Sequence, residues 1–275
     1  MMRYIKLVNF EINRFSKIYL SLLLITLVSQ FAGVIIVTKS LLNDARDIMK
    51  EERLSEAAYI TNYGGIDFNH IANSLLFVGP IALSAVALIF YIFLIWYRDW
   101  FGKNTFIYRL LMLPTSRLSI YLSKATSIFL MVLGLIAFQI IILPMENALF
   151  NSNVPQVLLN EMSISTITIA NPILSLIIPS TFTQFLLSYG IGLMIMSILF
   201  TAIMFERSFR IKGIIMGLLY CGIAAVLFLA PVLMEIGNFY FYPNELFGLL
   251  LAIGIILTGL SVWLGAWLLK NRVTV

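Results

Sequence analysis

The chain is poor in the residues from which most enzyme sites are built. Its 275 residues include one cysteine, one histidine and only 11% charged side chains. A single thiol, Cys221, excludes an internal disulfide framework and a cysteine-based metal site. A phosphate loop of the form G-x-x-x-x-G-K-[ST] is also missing: Gly102-Lys103 is followed by Asn104 and lacks the earlier glycine, so the chain is not expected to hydrolyse ATP itself. We expect no catalytic, cofactor-binding or metal-ligating residue here.

Apolar residues are abundant instead, at 61%. A helix that crosses a hydrocarbon layer of ~30 Å needs ~20 consecutive apolar residues. Six stretches qualify, at 18–38, 74–97, 125–145, 181–205, 213–234 and 246–269, and none contains Asp, Glu, Lys, Arg or His. The expected fold is an all-α membrane protein with six spanning helices in a single domain over 1–275. With both termini inside, fourteen of the eighteen Lys and Arg residues face the cytoplasm, and only Lys39, Arg46, Lys50 and Arg53 lie outside. The net charge of +5 then reflects basic loops facing the headgroups of a lipid bilayer and calls for no nucleic acid.

Segments outside the spans carry further patterns. In residues 1–17, Ile5, Val8, Ile12 and Phe15 line one face, which predicts an interfacial amphipathic helix on the inner leaflet. The following apolar run is too long for a signal peptide. Leu41, Leu42, Ala45, Ile48 and Met49 form a second helical stripe over about 39–56, suited to the outer leaflet or a partner. Glu51-Glu52 and His70 invite a metalloprotease reading, but the acidic pair lies outside every span, and a solvated charged face explains it. Pro144 either kinks the third span or ends it. Residues 172–205 would make ~51 Å of helix, too long for one crossing. They predict either a short re-entrant or interfacial piece before the fourth span, or a tilted helix with an external first turn. Gly213-x-x-x-Gly217 and Ser261-x-x-x-Gly265 permit close helix approach.

Between the second and third spans lies the polar interruption 98–124, with five basic residues. Phe106, Ile107, Leu110 and Leu111 recur at helical spacing, so a short amphipathic helix is expected. Pro114 ends it, Thr115-Ser116 forms a corner, and Ser116 caps a second helix that runs into the third span. A plain lipid-facing connector would have no reason for the apolar stripe and this corner.

Asp99, Gly102, the run from Arg109 through Leu113-Pro114 to Ser116-Arg117, and Lys124 resemble the cytoplasmic loop of type-2 ABC exporter permeases. Thr115 stands where that family commonly has an aliphatic residue. With the N-terminal helix and six spans, the resemblance covers essentially the whole chain. It implies a coupling helix that docks on a separate ATP-binding subunit, two copies of which carry ATP and Mg, and a second permease chain, identical or related. In this role Phe106, Ile107, Leu110 and Leu111 would contact the ATPase, and Arg109 and Arg117 would pair with its acidic groups or with headgroups. Leu113, Pro114 and Ser116 would build the corner, and Asp99 would cap the loop helix or pair with a nearby basic residue. It further implies a bacterial plasma membrane.

The absence of intramembrane charge argues against an ion-coupled carrier. Uncharged spans with polar points at Gln30, Gln139 and Gln184 suit an apolar or amphipathic cargo moving outward, such as a peptide, a lipid-like molecule or a drug. The alternative is a non-transporting sensor that signals to an ATPase through the same loop. An intramembrane hydrolase is disfavoured by the missing buried ligands.

Overall fold

The computed structural model describes residues 2–100, 107, 110, 112, 116–237 and 240–272. The described residues form α1 (Met2–Glu51), α2 (Glu56–Tyr63), α3 (Asn69–Ala72), α4 (Leu75–Trp100), α5 (Arg117–Asn153), α6 (Ile164–Ala170), α7 (Pro172–Ile177), α8 (Phe182–Phe209), α9 (Ile211–Ile236) and α10 (Pro243–Asn271). The only β pairing among them is an isolated parallel bridge between Ile66 and Leu159. Six helices, α1, α4, α5, α8, α9 and α10, are long and apolar enough to cross a membrane, the pattern of a multi-pass membrane protein.

The helix bounds decide three local points. The N-terminal segment, the first span and the stripe after it are one uninterrupted helix of 50 residues, about 75 Å long at 1.5 Å per residue. Nothing in 2–51 breaks it, since this stretch has no proline and only Gly33. It ends where Arg53 adopts a left-handed φ of 53°. Pro144 does not end the third long helix, which continues to Asn153. Residues 172–205 are not one helix: α7 stops at Ile177 and α8 starts at Phe182, so a short separate piece precedes the fourth long helix.

The chain divides into two compact units, Met1–Arg14 with Leu88–Met131 and Phe182–Val275, and Phe15–Ala87 with Val132–Thr181. In the first, α8, α9 and α10 pack on one another. Small residues make this possible. A β-carbon at Gly213 would collide with the Phe205 backbone, and one at Gly217 would sit 3.0 Å from the Ala202 carbonyl oxygen. Gly265 lies against Tyr121 and Thr201. Thr201 Oγ1 donates to the Ser261 carbonyl at 2.7 Å. Trp96, Tyr121 and Phe200, all fully buried, stack edge-on or tilted within 6.2 Å of each other.

The second unit closes around Val34, Phe68, Phe77, Leu143, Phe150 and Leu174. Phe68 meets the rings of Phe77 and Phe150 edge-on at 6.0 and 5.7 Å. Ala45 is buried in this core, and Leu41, Leu42, Ile48 and Met49 pack against it. The apolar stripe that follows the first span is therefore covered by the chain's own residues, because α2, α3, α6 and α7 supply enough apolar surface to bury it.

Candidate functional site

Five charged side chains of the first unit gather where three helical segments meet: the start of α1, the end of α4 and the start of α5. Ser116 caps α5, its Oγ accepting from the Ser119 amide at 3.3 Å, so the helix begins at Arg117. Two turns on, Lys124 shares a face with Ile120, Tyr121 and Ile128, all buried, and is itself fully buried. On α1, Glu11 lies four residues from both Leu7 and Phe15 on the buried face and is 2% exposed.

Lys124 Nζ uses all three of its protons. It donates to Glu11 Oε1 at 2.7 Å, to Asp99 Oδ2 at 2.5 Å and to the Ile95 carbonyl at 2.9 Å. It also stands 5.1 Å from the centre of the Trp96 ring. The other carboxylate oxygens are taken by arginines: Arg14 Nη1 donates to Asp99 Oδ1 at 2.7 Å, and Arg98 Nη2 to Glu11 Oε2 at 3.1 Å. Every oxygen of the two buried carboxylates has a cationic donor. Three cations against two anions leave one formal positive charge, and the two arginines that carry the excess reach solvent, with side chains 23% and 30% exposed.

Such a cluster has no nucleophile and no free base. Its chemistry is mechanical. Desolvating these charges offsets most of their attraction, so the net gain in stability is small, whereas removing one partner strands another charge. The charges fix which residues of the three segments meet.

Beside this cluster, Ile107 and Leu110 are buried against Leu7 and Ile120, with Trp100 at the edge. The resemblance implies that both residues contact an ATPase; in the structure both side chains are buried within the chain. Met112 is the residue described between them and Ser116, and it is 72% exposed. Phe106, Arg109, Leu111, Leu113 and Pro114 lie outside the described residues. Arg117 donates to the carbonyls of Leu269 and Lys270, the last turn of α10. Tyr97 donates to Glu206 at the end of α8, and Arg207 covers the rings of Tyr97 and Trp100 at 4.5 and 5.5 Å.

The three glutamines separate. Gln30 Nε2 donates to Gln139 Oε1 at 3.2 Å inside the second unit, and both are buried. Gln184, near the start of α8, is exposed. In the first unit an apolar cavity of about 440 Å³ opens between α8, α9 and α10, lined by Leu187, Met194, Phe228, Leu251 and Gly254, with Thr258 as its one hydroxyl. Glu11 and the burial of Lys124 are not among the residues that the sequence singles out for the site. The signal for both is helical register, a lone charge flanked at three- and four-residue spacing by apolar side chains. No protein-family model, curated protein or solved structure matches the chain.

Proposed function

We propose that this chain is the membrane-spanning permease subunit of an ATP-driven exporter, with residues 101–116 as the segment that receives force from a separate ATPase. The reading rests on one observation above all: the buried Glu11–Lys124–Asp99 ion cluster ties the residues entering and leaving that segment to the start of α1. Force delivered to that segment then reaches the start of α1 as well as α4 and α5. Arg117, Tyr97 and Glu206 extend the same connection to the ends of α10 and α8. In this assignment the start of α1, the loop and both termini lie on the cytoplasmic side of a bacterial plasma membrane. ATP and Mg belong to the partner, two copies of which act on two permease chains. The apolar cavity among α8, α9 and α10 suits an apolar or amphipathic cargo.

Ile107 and Leu110 are buried, and Met112 is the described residue of the segment that is exposed for contact with the ATPase. The test is affinity purification of the tagged chain in mild detergent, followed by assay of co-purifying ATPase activity and of cargo movement in vesicles. A stoichiometric ATP-binding subunit is expected, with stimulation reduced at least tenfold by Met112→Asp at unchanged membrane level. Failure to find such a subunit with a folded chain overturns the proposal. Ligand-dependent ATPase without flux assigns the chain to the sensor class instead.

A further inference from the structure

Glu146 on α5 is fully buried, and neither carboxylate oxygen has a hydrogen-bond partner among the described residues. Its neighbours on the same face of the helix are Leu143 and Phe150, both in the apolar core of the second unit. Thr38 on α1, another residue of this unit, is also buried with its hydroxyl unpartnered.

Glu11 shows how the chain holds an ionised carboxylate away from water: each oxygen faces a cation. Glu146 has none. On α1 the charged groups of the second unit from Lys39 onward are Lys39, Asp44, Arg46, Asp47, Lys50 and Glu51, all exposed. Glu52 and Arg53 after α1, Glu56 of α2, His70 of α3 and Glu161 ahead of α6 are exposed too, and Asp67 is half-buried. The portions of α4, α6 and α7 in this unit bring no charge, and among the described residues no ion pair reaches Glu146. Lys17, near the start of this unit on α1, is also exposed. An unpaired carboxylate in such a core is not tolerated as an anion; the group takes up a positive charge or the core opens. In a closely packed interior the cation that fits without displacing side chains is the proton.

We propose that Glu146 is a proton-binding site: it carries one proton while the core of the second unit is packed and releases it to water when that core opens. Any rearrangement that wets this core is then accompanied by loss of one proton and is favoured by alkaline conditions. This inference is independent of the ATP-driven reading, since it rests on the second unit alone.

The experiment is infrared spectroscopy of the full chain in lipid nanodiscs, with glutamate side-chain carboxyls isotopically labelled. At neutral pH one of the nine glutamates is expected to give a protonated-carboxyl C=O band. That band should shift in deuterated water, survive replacement of sodium by potassium or choline, and vanish in Glu146→Gln. Should Glu146→Gln fail to fold, Glu146→Asp, which keeps an acid but removes the label, must remove the band as well. Absence of a protonated glutamate band in the wild-type chain at neutral pH overturns the assignment, as does a band that persists in either variant. A band that exists only in one alkali salt overturns it too, by assigning the site to a metal cation.

Discussion

Lys124 Nζ lies 2.5 Å from Asp99 Oδ2 and 2.7 Å from Glu11 Oε1, with all three side chains at most 3% exposed. One ammonium thus bridges carboxylates from two other helical segments. Lys124→Met leaves both carboxylates with only the more exposed arginines and should destabilise the chain by about 3–5 kcal/mol. The triple variant Lys124→Met, Glu11→Gln, Asp99→Asn should recover most of that loss, because no buried anion remains and Arg14 and Arg98 can turn to solvent. Thermal unfolding in a fixed detergent compares them. A Lys124→Met protein that melts with the wild type would show that these charges are hydrated.

The small residues of α9 and α10 sort into two kinds by what surrounds them. A β-carbon at Gly265 would come within 2.6 Å of Tyr121 Cε2, and Tyr121 cannot swing away because its hydroxyl donates to the Ser197 carbonyl at 3.0 Å. Nothing lies within 4 Å of the same position at Gly222. Gly265→Ala should therefore cost about 1–3 kcal/mol through forced repacking. Gly222→Ala should be neutral or stabilising by up to about 1 kcal/mol, since alanine is the better helix former. Equal melting temperatures for the two variants would refute the close packing of α10 on Tyr121.

How legible this was differs by element. The six long helices could be read from apolar run length, because that length is set by the hydrocarbon thickness. Helix ends were less legible. Lys124 falls outside the third apolar run since a charge ends such a run in any hydropathy count, although its spacing from Ile120, Tyr121 and Ile128 places it on the buried face. Glu11 lies in the amphipathic segment before the first span, where a charge reads as part of the polar face although Leu7 and Phe15 share its buried side. That Ile107 and Leu110 turn inward was not legible, because an apolar stripe is the same pattern whether its cover is a partner or the chain's own Leu7 and Ile120. Gly213 and Gly265 were legible as small residues at close-packing spacing, but which helix each meets is a matter of tertiary structure.

Tyr63, at the end of α2, donates a hydrogen bond of 2.5 Å to Glu52 Oε1 just after α1. That bond to a carboxylate is the main cause holding the phenol above its ordinary value of about 10. The folded-state value is raised, so the contribution to stability is fully present below the unfolded value and is lost as pH rises through the folded one. Strongly alkaline conditions should loosen α2 from the end of α1. Glu52→Gln removes the cause and should lower the alkaline titration of one tyrosine, read as tyrosinate absorbance. No difference between the two titration curves would rule out the bond in solution.

Asn171 joins two segments with one buried side chain. Its Oδ1 accepts from the amides of Ile173 and Leu174, both at 3.0 Å, and so caps α7. Its Nδ2 donates at 3.0 Å to the Ala72 carbonyl and to Asn73 Oδ1, latching α7 to the end of α3. Cap and latch can be separated by substitution. Asn171→Asp keeps an acceptor for the two amides but turns a second acceptor on the Ala72 carbonyl, whereas Asn171→Ala removes both. Loss of the cap costs about 1 kcal/mol, and a buried carbonyl left unpaired adds about 1–3 kcal/mol. Both variants should therefore speed amide hydrogen exchange in α3 and α6, while only Asn171→Ala should also speed the first amides of α7. If Asn171→Asp protects α3 as well as the wild type does, the latch carries no weight and α7 is held by the apolar contact of Leu174 alone.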